Sequence, residues 1–256
     1  MTMYARMREN GAFTACCVAY LQQLRHLQTL RFAHFGLLTA FFCMQATRII
    51  AIRHGETSWN VDSRIQGHLD IPLNDIGLWQ AQRAGAALAD EKLDAIYSSD
   101  LQRALVTAQA VGNATGCAVQ PDTGLRERCF GSFEGRTFKE IEVELPEQAM
   151  RWRKRDPEFV PDNGGESLHM LRSRIQHTVD RLASQHMGGQ IALVAHGGVM
   201  DILYRLATRQ ELQAPRTWEL GNAAINRLLW TPDGLSLIGW GDVTHLESSS
   251  RDEFLS

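Results

Sequence analysis

The sequence predicts an α/β fold, a three-layer α/β/α sandwich built on a mostly parallel, doubly wound sheet. Two observations support this prediction. Short apolar runs typical of buried strands alternate with longer segments typical of helices. No repeat, low-complexity tract or linker interrupts this alternation from Met44 onward. We therefore expect a single domain over residues 44–256, a length compatible with one large α/β domain.

The individual elements follow from apolar runs, capping residues and breaking residues. Strands are predicted at 48–53, 95–98 and 191–195, with shorter candidates at 119–121 and 225–230. Helices are predicted at 74–91, 100–115, 166–186 and 198–208. Asn74 is placed to cap the first helix. Pro146, Pro157 and Pro161 divide residues 137–163 into short helices and loops, which we interpret as a small cap region that sets substrate specificity.

Residues 1–43 form an amino-terminal extension of a different character. Their apolar stretch, 35–43, is shorter than the ~20 residues that span a bilayer. The extension is basic and nearly free of acidic residues, as in an organelle targeting peptide. We favour the simpler explanation that Met44 is the true start and that the extension belongs to a mis-assigned gene model. A translated extension is expected to carry a surface helix at 18–30.

The composition is that of an ordinary globular protein, with 44% hydrophobic and 21% charged residues. The net charge of −3 gives no indication of general nucleic-acid binding, so a phosphorylated substrate would need a local cluster of cations. The five cysteines include no CxxC pair and no zinc-type spacing. We expect a cytoplasmic protein with reduced thiols and no resident metal, which binds neither nucleic acid nor membrane. The oligomeric state, including a homodimer, is left open.

The segment Arg53-His54-Gly55-Glu56-Thr57 follows the first predicted strand directly. It places a cation and an imidazole at the carboxyl edge of the sheet, where open α/β sheets bind ligands. The glycine allows close approach of the backbone to a ligand. A neighbouring positive charge lowers the pKa of an imidazole, which then stays neutral and nucleophilic near pH 7. This arrangement suits attack on phosphorus, although one such histidine taken alone is more often structural.

Further motifs follow in a fixed order along the chain: Ser98-Ser99-Asp100-Leu101-Gln102-Arg103-Ala104, Leu125-Arg126-Glu127, Phe130-Gly131-Ser132-Phe133-Glu134-Gly135, Gly165-Glu166-Ser167 and Val194-Ala195-His196-Gly197-Gly198. With the first motif, this ordered set resembles the histidine phosphatase superfamily, the phosphoglycerate-mutase-like enzymes. The resemblance extends from about Thr47 to about Leu246. It implies phosphoryl transfer through a phosphohistidine, an antiparallel edge on the sheet, and no metal.

The resemblance implies catalytic roles for five residues. His54 would be the nucleophile, and Glu127 would protonate the leaving group as general acid. His196, at the end of a second buried strand, would bind the phosphoryl oxygens and stabilise the transition state. Arg53 and Arg103 would grip the phosphate oxygens with their planar forks. We expect Arg103 in the first turn of its helix, where backbone amides also favour anions.

The other predicted substrate contacts have structural alternatives. The hydroxyl of Thr57 and the amide of Asn60 suit phosphate oxygens or the orientation of His54, but equally suit turn and helix-cap chemistry. Gln66 and Gly67 are similar to a family loop that borders the substrate. Gly197 directly follows the second histidine.

Three further carboxylates need an interpretation. Glu56 is the rival of Glu127 as the acid, whereas Glu134 and Glu166 are interpreted as structural partners of backbone amides or arginines. The remaining histidines have no metal-ligand spacing and are interpreted as surface or hydrogen-bonded residues: His68, His169, His177, His186 and His245.

Phosphatases and mutases of this family share the phosphohistidine and differ in what attacks it next. His196 is followed by Gly197-Gly198-Val199, the form usual in the phosphatase branch, where mutases typically have Gly-Asn-Ser. The basic stretch 151–155 keeps a mutase open because it could bind a substrate carboxylate, but we favour its interpretation as a solvated helix end. The sequence thus favours a phosphatase of small phosphorylated metabolites without a cofactor. Only a mutase would need 2,3-bisphosphoglycerate, and a non-catalytic phosphate-binding module is least favoured because all five catalytic residues are present.

Overall fold

A computed structural model describes residues 46–247. Among these residues, six strands form one mixed sheet: β1 (Thr47–Arg53), β2 (Ala95–Ser98), β3 (Val119–Pro121), β4 (Gln190–Ala195), β5 (Ile225–Thr231) and β6 (Gly234–Asp242). Their order is β3-β2-β4-β1-β5-β6. The first four are parallel, whereas β5 and β6 are each antiparallel to their neighbours. The predicted α/β fold with a mostly parallel sheet and an antiparallel edge is confirmed.

The four helices with predicted bounds are present, with ends within about four residues of the prediction, and three shorter helices are found besides among the described residues. Together they are α1 (Ser58–Val61), α2 (Asp75–Ala87), α3 (Gln102–Thr115), α4 (Phe138–Glu144), α5 (Pro146–Arg153), α6 (Leu168–Ser184) and α7 (Gly197–Thr208). Asn74 caps α2 as predicted, because its side chain accepts a hydrogen bond from the amide of Gly77 at 2.7 Å. The predicted cap region contains α4 and α5, and Pro146 begins the second of them.

Alternate side chains of β1 show how the three layers form. Ile49 and Ala51 pack into a hydrophobic cluster with α6 and α7 on one face of the sheet. Ile50 and Ile52 pack on the other face, against α3 and the carboxyl end of α2. Because successive side chains of a strand point to opposite faces, burial of both sets requires helices on both sides. A third, smaller cluster of aromatic and aliphatic residues holds the cap region together.

Strand β6 is not among the strands predicted from the sequence. Gly234, Gly239 and Gly241 interrupt its apolar pattern, and glycine weakens a strand signal because it contributes no side chain to packing. A usable signal does exist, since Thr231-Pro232-Asp233-Gly234 has the composition of a tight turn between two strands.

The predicted extension, residues 1–43 with its helix at 18–30, lies outside the described residues. Within the part of the chain that is described, no helix is both long and apolar enough to cross a membrane.

Candidate active site

Two neighbouring strands bring the two predicted histidines together. His54 follows β1 and His196 follows β4, and these strands are paired in parallel with Arg53 opposite Ala195. The amide of His54 donates to the carbonyl of Ala195 at 2.9 Å. The two imidazole rings lie 5.2 Å apart, centroid to centroid, and both are almost fully buried. The sheet itself therefore sets the separation of the two histidines.

The orientation of His54 follows from one hydrogen bond. Its Nδ1 lies 2.6 Å from the carbonyl oxygen of Gly55. A carbonyl can only accept a hydrogen bond, so Nδ1 carries the proton and Nε2 of the neutral ring carries the free lone pair. Asn222 donates to the carbonyl of His54 at 2.9 Å, and the hydroxyl of Thr107 accepts from the amide of Gly55 at 3.1 Å. The turn that carries the imidazole is thus held from two directions.

Both imidazoles are shifted toward the neutral form. Burial, followed by the charges of Arg53 and Arg103, lowers the pKa of His54 well below its usual value. Burial, followed by Arg103, also lowers the pKa of His196 well below its usual value. The sequence predicts the direction for His54 but attributes it to the neighbouring cation, whereas burial is the larger cause.

Arg53 and Arg103 approach the histidines without carboxylate partners in the described part of the chain. Arg53 donates to the carbonyl of Leu220, and Arg103 donates at 2.8 Å to the carbonyls of Leu69 and Gly67. Neutral carbonyls fix the two guanidinium groups without pairing them, and the charge of Glu127 only partly offsets the lowering of their pKa values by burial. The guanidinium groups are therefore available to an anion. Arg103 is the second residue of α3, in the first turn as predicted.

Glu127 is held beside the histidines by backbone amides. The amide of Gly198 donates to both carboxylate oxygens at 3.1 Å, and that of Arg128 donates to Oε1 at 2.7 Å. The carbonyl of Glu127 accepts from His68 Nε2 at 2.9 Å and from Arg174 at 3.3 Å. The carboxyl group is therefore fixed against the first turn of α7, directly after His196.

A cavity of about 160 Å³, here called the phosphate pocket, contains most of the predicted site residues. It is lined by Arg53, His54, Asn60, Arg64, Ile65, Gln66, Gly67, Arg103, Glu127 and Phe130. Gln66 is buried and its Oε1 has no hydrogen-bond partner among residues 46–247. His196 is not among the lining residues. It is completely buried with its ring 5.2 Å from that of His54, and neither of its ring nitrogens has a partner within the same range.

Thr57 and Asn60 differ in their position relative to the phosphate pocket. Thr57 lies outside the lining of the phosphate pocket and caps α1, since its hydroxyl accepts from the amide of Asn60 at 3.2 Å and also contacts Oδ1 of that residue. The helix-cap alternative is confirmed for Thr57, whereas a substrate contact of its hydroxyl stays a prediction. Asn60 does line the pocket, and its Oδ1 is used within the cap and by Asn222.

The other carboxylates are placed as structural residues. Glu56 accepts from the side chain of Asn74 at 2.8 Å and does not line the phosphate pocket. Glu134 accepts from the amides of His68 and Phe130 at 3.0 Å. Glu166 pairs with Arg174 at 2.7 Å. The structural interpretation of Glu134 and Glu166 is confirmed.

A larger cavity of about 660 Å³, here called the outer cavity, adjoins the phosphate pocket and shares Arg53 and Phe130 with it. It is lined by Arg53, Arg128, Phe130, Trp152, Arg155, Asp156, Phe159, Leu168, Leu171, Gly197, Gly198, Asp201, Arg216 and Leu220. Only four of these residues belong to the predicted cap region, 137–163. Residues outside the predicted cap region therefore also line this cavity, and the role of the cap in specificity stays a prediction.

The arginines of the basic stretch 151–155 lie in two kinds of environment. Arg151 pairs with Asp156 and Arg153 with Glu142, both as solvated charges, which agrees with the favoured interpretation. Arg155 instead lines the outer cavity and pairs with Asp201 at 2.7 Å, so for this residue the interpretation as a solvated helix end is wrong.

Sequence reasoning missed several residues that shape the site. Thr107 could have been found, because it lies four residues after Arg103 and therefore on the same face of α3. Arg128, Arg174 and Asn222 carry no comparable local signal, since most of their contacts are with residues far away in sequence. Arg216 carries none either.

Comparison with known proteins agrees with this geometry. The model of the histidine phosphatase superfamily (branch 1) matches residues 49–243. Phosphoglycerate mutase-like protein 4 of Arabidopsis thaliana is 39% identical over 204 residues, which cover 78% of this chain and 87% of the relative. The metal-independent phosphoserine phosphatase of the same plant is 34% identical over 206 residues, 80% and 85% of the two chains. A solved mycobacterial glucosyl-3-phosphoglycerate phosphatase superposes with a TM-score of 0.69 at 33% identity, covering 77% and 99%. The chain therefore belongs to the histidine phosphatase superfamily, branch 1, and is an enzyme of that superfamily.

Proposed function

We propose that the protein is a metal-independent phosphomonoester hydrolase that acts on small phosphorylated metabolites through a phosphohistidine at His54. One observation carries the proposal. The unprotonated Nε2 of a buried, neutral imidazole lies in the same pocket as two guanidinium groups without carboxylate partners and one carboxyl group. The names of two similar proteins, a phosphoserine phosphatase and a glucosyl-3-phosphoglycerate phosphatase, support hydrolysis.

In the first step, Arg53, Arg103 and His196 hold the phosphoryl oxygens and offset their charge. The lone pair of His54 Nε2 forms a bond to phosphorus while the ester P–O bond breaks. Glu127, in its protonated form, gives its proton to the departing alcohol oxygen. The bond from Nδ1–H to the carbonyl of Gly55 remains and stabilises the positive charge that the imidazole acquires.

In the second step, a water oxygen attacks phosphorus and the P–N bond breaks, which returns the electron pair to Nε2 of His54. Glu127, now a carboxylate, accepts the proton of the attacking water. Inorganic phosphate is released and the enzyme returns to its starting protonation state. The two roles of Glu127 require it to face both the leaving oxygen and the water, which suits its position at the border of the two cavities.

No metal enters this mechanism, since guanidinium groups supply the positive charge that the phosphate requires. Among residues 46–247, no three His, Cys, Asp or Glu side chains are grouped as metal ligands. We extend the proposal to a cytoplasmic location and to the absence of any cofactor.

A phosphoglycerate mutase is the second candidate, and one observation favours it. Arg216 lines the outer cavity, where a phosphoglycerate carboxylate could bind. A mutase would return the phosphoryl group to the glycerate and would need 2,3-bisphosphoglycerate to phosphorylate His54 at the start.

The test is an assay of the purified protein in EDTA with 3-phosphoglycerate and catalytic 2,3-bisphosphoglycerate, beside a panel of phosphate monoesters. Free phosphate and 2-phosphoglycerate are followed together, and acid-labile phosphate on the protein is trapped by rapid mixing with a denaturant. Phosphate release without 2-phosphoglycerate supports the hydrolase. Rapid 2-phosphoglycerate formation with little free phosphate establishes the mutase, and activity lost to EDTA contradicts the metal-independent mechanism.

A further inference from the structure

The outer cavity is the place for the alcohol part of the substrate. It adjoins the phosphate pocket through Arg53 and Phe130, and its wall includes Gly198, whose amide holds Glu127. Its volume of about 660 Å³ lies within the range of ordinary small-molecule sites, ~300–1,000 Å³. Under the proposed function, the ester oxygen meets Glu127 at this border, and the remainder of the alcohol extends into the outer cavity.

One arginine of this cavity is a fixed part of its wall. Arg128 donates to the backbone carbonyls of Glu166 at 2.7 Å and Phe159 at 3.2 Å. Its guanidinium also lies over the rings of Phe130 and Trp152, at 5.5 and 5.3 Å from their centroids. These contacts immobilise the group and use much of its donor capacity.

A second arginine has its charge largely compensated. Arg155 donates to the carbonyl of Leu212 at 2.7 Å and to Oδ2 of Asp201 at 2.7 Å. The same carboxylate oxygen also accepts from Arg205 at 3.0 Å, so Asp201 serves two guanidinium groups. This network shapes the floor of the cavity more than it attracts a further anion.

Arg216 differs from both. This residue is solvent-exposed where it lines the cavity, and within residues 46–247 it has no hydrogen bond and no ion pair. It lies close enough to the phosphate pocket for its charge to act there. Burial is the main cause that lowers the pKa of the Arg53 guanidinium, and Arg216 lowers it further.

The charges of the outer cavity do not balance. Four arginines line it, against two acidic residues, and both carboxylates are already paired within the protein. The phosphate of a substrate would use Arg53, and Arg128 and Arg155 are held by the protein. Arg216 then remains as an uncompensated cation that faces the alcohol part of the substrate.

We infer that Arg216 binds a second anionic group, a carboxylate or a phosphate, carried by the alcohol part of the substrate. The physiological substrate is accordingly a phosphomonoester whose alcohol is itself an anion, and Arg216 determines this specificity. A planar guanidinium can bind two oxygens of either group at once, which is why the two chemistries share this site. The inference rests on the proposed hydrolase activity and deepens it.

Two pairs of substrates test the inference, each differing mainly in the second anion. The carboxylate pair is 6-phosphogluconate with sorbitol 6-phosphate, both open-chain, and the phosphate pair is fructose 1,6-bisphosphate with fructose 6-phosphate. In the full-length protein we expect kcat/KM to favour the anionic member of at least one pair by about tenfold or more, as for a charged hydrogen bond. The pair that shows the preference identifies the second anion.

Variants of Arg216 then decide whether this residue is the cause. Arg216→Ala should reduce the preference to near unity, and Arg216→Lys should keep part of it because the charge remains while the fork is lost. Arg153→Ala is the matched control, since it removes the same charge from an exposed residue that pairs with Glu142 and does not line the cavity. It should retain the full preference.

Hydrolysis of p-nitrophenyl phosphate distinguishes a failure of the hydrolase proposal from a failure of the second-anion assignment. If the wild-type protein releases no phosphate from this ester or from either pair, the hydrolase proposal itself is wrong. If it hydrolyses these esters but shows equal kcat/KM within both pairs, only the assignment of a second anion is overturned. A preference that survives Arg216→Ala likewise overturns the role of Arg216.

Discussion

The phosphate pocket and the outer cavity are neighbours built in different ways. The pocket takes His54 from the end of β1, beside buried His196 at the end of the paired strand β4, and one arginine from the first turn of α3. Backbone carbonyls hold His54 and Arg103 in place. The outer cavity is assembled from α5, α6, α7 and the segment 209–224, and it depends on contacts between side chains that are distant in sequence.

This difference separates the chemistry from its specificity. Strand ends of a sheet cannot move independently, so the distance between the two histidines is a property of the fold. Loops and short helices can change their side chains without altering the sheet, so the outer cavity can be adapted to a different alcohol. Four predictions test how far the two regions act independently.

The largest effect is expected at the nucleophile. His54→Ala should lower kcat by at least about 10⁴-fold, since the covalent path is lost, and should do so equally for every ester because the alcohol lies in the other region. Initial rates with p-nitrophenyl phosphate and phosphoserine measure this, with circular dichroism to confirm folding. The control is His169→Ala, at an exposed residue paired with Glu158. Activity near that of the wild type would refute the mechanism.

Glu127 lies where the two regions meet, so its effect should depend on the alcohol. Glu127→Gln removes the proton donor, and we expect a loss of about 10²-fold or more for phosphoserine, whose alkoxide is a poor leaving group. For p-nitrophenyl phosphate the loss should be less than about tenfold, because its leaving group needs little protonation. Equal losses on both esters would argue against Glu127 as the acid.

A smaller loss of kcat is expected when one methyl group is added at Gly198, where the phosphate pocket and the outer cavity meet. In Gly198→Ala, the new Cβ would lie 2.2 Å from Oε1 of Glu127, so the flexible carboxyl group must move while the backbone stays in place. We expect kcat to fall about tenfold for phosphoserine, in line with the cost of misplacing a catalytic group, with the melting temperature nearly unchanged. Gly239→Ala, where nothing lies within 4 Å of the added Cβ, is the control. Unchanged kcat would show that the position of Glu127 is not critical.

The smallest effect concerns pH and stability. The pKa values of buried His54 and His196 are lowered, so below pH ~6.5 the unfolded chain binds protons that the native protein does not. Their contribution to stability is complete above that pH and is lost as the pH falls toward the native pKa values. From pH 7.5 to 5.5 the free energy of unfolding should fall by up to about 1.4 kcal/mol per histidine. Urea unfolding measures this, and His196→Asn should show a shallower pH dependence.

The sequence placed the two histidines of the site because their chemistry coincides with strong local patterns. An apolar strand that ends in His-Gly fixes both the position of the residue and its edge of the sheet, which placed His54 and His196 from periodicity alone. Glu127 depended on the resemblance to a family, since Leu125-Arg126-Glu127 lies in a loop without periodicity.

The outer cavity could not be predicted, because its side chains come from distant parts of the sequence and carry no local pattern. Arg128 and Arg216 are two of many arginines, and only folding determines that they reach one cavity while Arg153 points to solvent. The hydroxyl of Thr57 illustrates the converse, since two local roles were equally compatible with its sequence and the helix cap was the one realised. Long-range side-chain contacts cannot be read from spacing.

The cations around His196 also affect the stability of the free enzyme. Buried nitrogens of Arg53, Arg103 and His196 lack hydrogen-bond partners within the described chain, and such groups oppose folding. An anion in the pocket would satisfy them, so inorganic phosphate should raise the melting temperature with concentration. The product of the reaction, which competes with substrate for the pocket, would then also protect the enzyme from unfolding when substrate is scarce.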